Sequence, residues 1–182
     1  MSRISTLVIL ASLGGLSNAA ARQRPDFAGE WTLADTADRR PSVASQGDAS
    51  FGTGSMGSGW GSPIVITQQS NQLTVSYTFF SAYDLQPPLR FVYALDGSES
   101  RNTVMIGHAS SEQRSRAVWQ GAALVITTLH TAPAIGGGPA RVAEVRQVLT
   151  LESPDRLVVE TVRAGIQGAA TTTTRTVYTK RR

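Results

Sequence analysis

The stretch PIVITQQSNQLTVSYTFF, residues 63–80, decides how the rest of the chain is read. Leu73, Val75, Tyr77 and Phe79 alternate with Thr74, Ser76 and Thr78. That period of two puts apolar groups on one face of a strand and polar groups on the other. Ser70-Asn71 interrupts the run with turn residues, so the stretch predicts two strands joined as a hairpin. The next run repeats the pattern, with Leu89, Phe91, Tyr93 and Leu95 on one face against Arg90 and Val92.

Working outward, runs rich in Val, Ile, Thr, Tyr and Phe recur between turn residues along the whole chain after residue 26. They predict strands at Phe27–Leu33, Pro63–Gln69, Gln72–Phe80, Leu89–Leu95, Arg101–Ile106 and Gln113–Gln120. Four more are predicted at Ala122–His130, Arg141–Glu152, Leu157–Ala164 and Thr172–Lys180. Asp96-Gly97, Gly121 and Ser153-Pro154-Asp155-Arg156 are the matching turns. After the N-terminal segment, no long window carries an apolar stripe at helical spacing. The expectation is an all-β protein: an antiparallel up-and-down β-barrel of about 8–10 strands, whose closure removes sheet edges. In Arg141–Glu152, the face carrying Glu144 and Arg146 is expected to meet solvent.

Composition narrows the function classes. The chain has 182 residues, no Cys and a formal net charge of +4. Without Cys there is no disulfide framework, thiolate nucleophile or cysteine-ligated metal. Charged residues make up 16% and hydrophobic residues 41%, a balance that supports a folded core. Met1–Ala21 has the three parts of a secretory signal peptide: Arg3, the apolar run Ile4–Leu16, and small residues at Asn18–Ala21. A helical run of that length rises only about 20 Å, short of a hydrocarbon core of about 30 Å. An uncleaved anchor or a buried N-terminal helix is the alternative. On the first reading residues 22–182 form a single barrel domain, exported to the periplasm or outside the cell, with no transmembrane segment after cleavage. A Gly/Ser-rich loop over 35–62 interrupts it, carrying Phe51, Met56 and Trp60. Loops of that length are uncommon in compact domains. This one is expected either to cover a cavity mouth or to tack an aromatic ring onto the wall.

The first predicted strand contains Phe27-Ala28-Gly29-Glu30-Trp31, a Phe-x-Gly-x-Trp motif, and the last places Arg175 and Tyr178 near the C-terminus. With the meander between them, the chain resembles the calycins, the lipocalin and fatty-acid-binding-protein group, and short secreted bacterial proteins that begin with such a strand. The resemblance implies a barrel in which an Arg of a late strand packs across the Trp. Gly29, Trp31 and Arg175 are therefore expected to close the barrel, with Arg163 the second candidate for the cation. Fatty-acid-binding proteins carry Arg-x-Tyr in the last strand; here two residues separate Arg175 from Tyr178, so alternation sends them to opposite faces. A helical lid is absent as well. Fatty-acid binding is accordingly not implied, while extracellular capture of a ligand in the lipocalin manner stays open.

Few residues suggest chemistry. His108 and His130 have no carboxylate at a metal-binding spacing and read as rim residues. No nucleophile elbow or phosphate-binding loop is present, and Gly136-Gly137-Gly138-Pro139 precedes a strand rather than a helix. Glu144 and Glu160 fall on strands expected to be neighbours, with Arg146 and Arg163 expected to form surface ion pairs. No enzyme activity, metal or cofactor is expected. Arg114, Arg116, Arg175, Lys180, Arg181 and Arg182 read as a solvated basic face and tail, with Trp119 and Tyr178 nearby, and nucleic acid is not expected as a partner. Two functional expectations remain. One is a barrel that binds a small apolar or amphipathic ligand, lined by Tyr77, Phe79, Phe91, Tyr93 and Leu124. The other is a filled barrel that acts as an interaction, assembly or inhibitor module for an envelope protein partner.

Overall fold

The structure, a computed structural model, describes residues 24–34, 60, 63–77, 89–106, 109–132, 141–164 and 171–182, with the backbone alone for 104–106, 109–111, 131–132 and 141. Ten strands lie among these residues: β1 (Gly29–Leu33), β2 (Ile64–Gln69), β3 (Gln72–Tyr77), β4 (Leu89–Ala94) and β5 (Glu99–Ile106), then β6 (Ala109–Gln120), β7 (Ala123–Ala132), β8 (Arg141–Ser153), β9 (Arg156–Arg163) and β10 (Thr172–Lys180). They form one antiparallel sheet in the order β4-β3-β2-β1-β10-β9-β8-β7-β6-β5, rolled into a nearly closed barrel. Among the described residues there is no helix, and so none long and apolar enough to cross a membrane.

The expected strands are present with shifted ends. β5 begins at Glu99 and β6 at Ala109, both earlier than the alternation indicates. Ala109–Glu112 has no apolar period, yet it pairs with Thr103–Ile106, because a hairpin ladder is built by backbone groups whatever the side chains. Gly97 and Gly121 take positive φ, 84° and 64°, in the β4–β5 and β6–β7 turns, where a residue without Cβ is favoured. The β4–β5 turn is also capped by Asp96. Its carboxylate accepts from the Ser98 amide at 2.9 Å, the Ser98 hydroxyl at 2.6 Å and the Asn71 side-chain amide at 3.2 Å. Those donors hold the Asp96 carboxyl down at about 2.

Closure comes from the two ends of the sequence. β1 pairs with β10 in the register Trp31↔Lys180, Thr32↔Thr179, Leu33↔Tyr178. The Ala34 amide donates to the Val177 carbonyl and the Arg181 amide to the Glu30 carbonyl, extending that seal by a residue each way. The opposite seam, between β4 and β5, is made differently. Asn102 on β5 accepts from the Val92 amide at 2.7 Å and donates to the Val92 carbonyl at 3.1 Å, while Ser100 accepts from the Ala94 amide at 2.8 Å. Side chains there stand in for a backbone ladder and satisfy edge groups of β4.

The core runs from the short turns to the far ends of β2 and β3, at Ile64 and Tyr77. Phe27, Trp31, Ile64, Ile66, Leu73, Leu124, Leu149, Leu157 and Tyr178 are all buried in one cluster. Phe27 stacks on Trp119 at 5.8 Å, and the Arg24 guanidinium lies over that indole at 5.5 Å from its centroid. Gln68 pins the approach to β1, accepting from the Phe27 amide and donating to the Pro25 carbonyl. Trp60, from the 35–62 segment, is buried against the wall. Its indole donates to the Tyr93 hydroxyl, and its carbonyl accepts from the Tyr178 hydroxyl at 3.2 Å. Of the two expectations for that segment, an aromatic ring tacked to the wall is observed at Trp60. Phe51 and Met56 lie outside the described residues.

Candidate functional site

Registered neighbours share a face, so the pairing fixes what lines the interior row by row. Nearest the β6–β7 turn the row is Trp119, Leu124, Leu149, Val159 and Thr176. The next is Ala117, Ile126, Gln147, Thr161 and Thr174, and the one beyond is Ser100, Ser115, Thr128, Val145, Arg163 and Thr172. Asn102, Gln113, His130 and Ala143 follow. The inward face of β5–β10 thus passes from apolar to polar along the barrel. Asn102, Gln113, Ser115, Thr128, Gln147 and Thr161 are all buried. Ser115 and Thr128 share a hydrogen bond at 2.9 Å.

Across the barrel, the wall made by β2–β4 stays apolar to the same end. Its rows are Trp31, Ile64, Tyr77 and Leu89, then Ile66, Val75 and Phe91. Tyr77 and Phe91 stack with centroids 6.0 Å apart. A polar wall therefore faces an aromatic one. Tyr77, Phe91, Tyr93 and Leu124 are brought together in the same buried cluster; Phe79 lies outside the described residues. Burial pushes the Tyr93 hydroxyl well above its ordinary pKa.

His130 and Arg163 belong to the polar wall. His130 is half-buried, and burial, assisted by the nearby Arg163 charge, lowers its pKa below the ordinary 6.5, so it is neutral at pH 7. Arg163 is also half-buried, its pKa lowered by burial, and its Nε lies buried with no hydrogen-bond partner. The expectation that Arg163 makes a surface ion pair is therefore corrected: it sits opposite Val145 on the inward face. Its parity with Leu157, Val159 and Thr161 was the available signal in the sequence. His130 falls at the rim as expected, while His108 lies outside the described residues.

The barrel-closing cation is also not the expected one. Lys180 places its ammonium 5.3 Å from the Trp31 ring centroid. Arg175 lies on the outer face and bonds Glu152 at 2.5 Å, because its register partner is the exposed Glu160. Gly29 leaves room for Lys180: a Cβ there would overlap Lys180 Cε, and Gly29 has φ 147°. The choice between Arg175 and Lys180 depends on the β1–β10 register, which no local pattern encodes. Trp31 itself is fully buried and its indole donates to the Phe27 carbonyl at 2.9 Å.

Other surfaces offer less. Glu144 and Glu160 are both exposed and do not face each other, since Glu160 pairs with Val148. Tyr178 is buried and Trp119 is packed against Phe27 and Arg24, so neither is presented with the basic groups. A cleft of about 390 Å³ opens beside the β4–β5 seam, lined mainly by Gln69–Gln72, Ser100 and Arg101. It lies at the β2–β3 turn and meets the polar wall through Ser100, and Arg101 there is engaged by Glu99 at 3.2 Å. Among the described residues no group of three His, Asp or Glu side chains converges to hold a metal. No protein-family model matches the chain, and no curated protein matches it in sequence.

Proposed function

We propose that the protein is an exported, non-catalytic barrel that binds a small amphipathic molecule at the end where the polar and aromatic walls face each other. The observation that carries this reading is the buried polar wall itself. A barrel interior that only had to be filled would use apolar side chains, since each buried hydroxyl or amide must find a partner to offset its desolvation. Here polar groups occupy successive inward positions on β5–β9, opposite the stacked Tyr77 and Phe91. Such a surface matches a ligand that is polar on one side and apolar on the other. Tyr77 and Phe91, with Phe79 from the sequence, supply the apolar contacts on this reading; Tyr93 and Leu124 lie in rows nearer the short turns.

The interaction-module alternative has less support, because the described residues offer no exposed aromatic side chain as an anchor. The exposed large apolar groups are Leu33, Val65, Val118 and Val142. Native mass spectrometry of protein recovered from an exporting host, followed by titration with a panel of lipids and pigments, tests the proposal. One bound molecule per chain is expected; absence of binding across the panel would sink it. N-terminal sequencing of the exported material is expected to begin at Arg22.

A further inference from the structure

Resting on that reading, we propose that Arg163 is the receptor for the ligand's headgroup and that this headgroup is a monoanion, a carboxylate in the simplest case. Arg163 is the sole charged residue on the inward face of β5–β9 among those whose side chains the structure describes; Arg141 has the same parity two rows nearer the end of β8. Its Nε is buried without an acceptor. The acidic residues of these strands, Glu99, Glu112, Glu144, Glu152 and Glu160, do not supply one. All are exposed, and those that pair do so with Arg101, Arg156 and Arg175 on the outer face. Residues 107–108, 133–140 and 165–170, which connect β5 to β6, β7 to β8 and β9 to β10, contain no Asp or Glu, while Asp35, Asp38, Asp48 and Asp84 of the other two long connections lie outside the described residues.

A guanidinium cannot shed its proton to escape desolvation, so a half-buried one with no counter-ion among the described residues is a standing cost to the fold. An incoming anion removes that cost and takes a charge-assisted, potentially two-pronged hydrogen bond in return. The neighbours fix the charge of the guest. Thr128, Val145 and Thr172 share the Arg163 row, while Thr161, Gln147, Gln113 and His130 lie in the rows on either side. All are neutral, His130 because burial and Arg163 itself disfavour its protonation. A single positive charge among neutral polar groups balances one negative charge; a phosphate dianion would be left half-compensated.

The test compares a dansyl-labelled undecanoic acid with its methyl ester by fluorescence titration of the full mature chain, alongside Arg163→Gln and Arg163→Lys. The wild-type protein is expected to prefer the acid by about tenfold, the value of one hydrogen bond to a charged group. Arg163→Gln should erase that preference by weakening the acid much more than the ester, and Arg163→Lys should keep part of it. In the wild-type protein, which needs no variant to fold, the Arg163 Nε–H resonance should shift on adding the acid and not the ester. Equal binding of acid and ester, with no response at Arg163, overturns the headgroup assignment but leaves the ligand-binding reading standing. If neither probe binds and the lipid and pigment panel is also negative, both fall together.

Discussion

Gly29 shows how one residue can be constrained twice. Its φ of 147° is a conformation side chains rarely adopt, and the space over its Cα holds the Lys180 stem that reaches Trp31. Gly29→Ala is expected to lower stability by about 1–3 kcal/mol in urea denaturation. Repeating it in a Lys180→Ala background should recover only the steric share, because the backbone strain stays. Arg175→Ala is the contrast: it removes an exposed ion pair with Glu152, and a loss below about 1 kcal/mol is expected. His130 supplies a pH dependence whose sign follows from its lowered pKa. As pH falls through 6.5 the unfolded chain takes up the proton first, so stability is full above that value and is lost toward the lower folded pKa. Urea midpoints measured across this window should fall for the wild type and fall less for His130→Gln. The lowered carboxyls of Asp96, Glu152 and Asp155 act separately, since their contribution is lost only as pH drops below their ordinary 3.8–4.5.

At the scale of elements, strand existence was legible because period-two alternation survives in nearly every run, from Leu73–Tyr77 to the inward set Leu157, Val159 and Thr161. Strand ends were less so: the start of β6 carries Ser110, Ser111 and Glu112, which look like loop and are held by the β5 ladder. The Asn102 bridge was not legible at all. An Asn inside a run reads as a strand weakener, and only the failure of β4 and β5 to share a backbone ladder gives it a purpose. Asn102→Ala is expected to cost about 1–3 kcal/mol, because it leaves the Val92 amide without its acceptor. Amide hydrogen exchange should localise the effect, with Val92 losing protection well ahead of its neighbours on β3.

For the whole molecule, the Gly-x-Trp strand and the last strand are the two ends of one cylinder, as the family resemblance implied. The identity of the cation on Trp31 and the inward aim of Arg163 were missed for different reasons. The first needs a register between strands separated by most of the chain. The second needed only strict parity applied to β9, set against the habit of assigning Arg to solvent. Because β1 and β10 complete the sheet, no part of it should unfold independently. A truncation that removes Thr172–Lys180 is expected to abolish the cooperative transition in circular dichroism, rather than to lower its midpoint.

The β1–β10 seal also sets where the chain leaves the barrel. Arg24 and Arg181 both emerge at the capped pole, beside Trp119 and Glu30, while Arg163 and His130 look out of the opposite one. A bead, sensor chip or fusion partner joined directly ahead of Arg24 or behind Arg182 would therefore grip the molecule at that pole, and every copy would turn its Arg163 pole to the bathing solution.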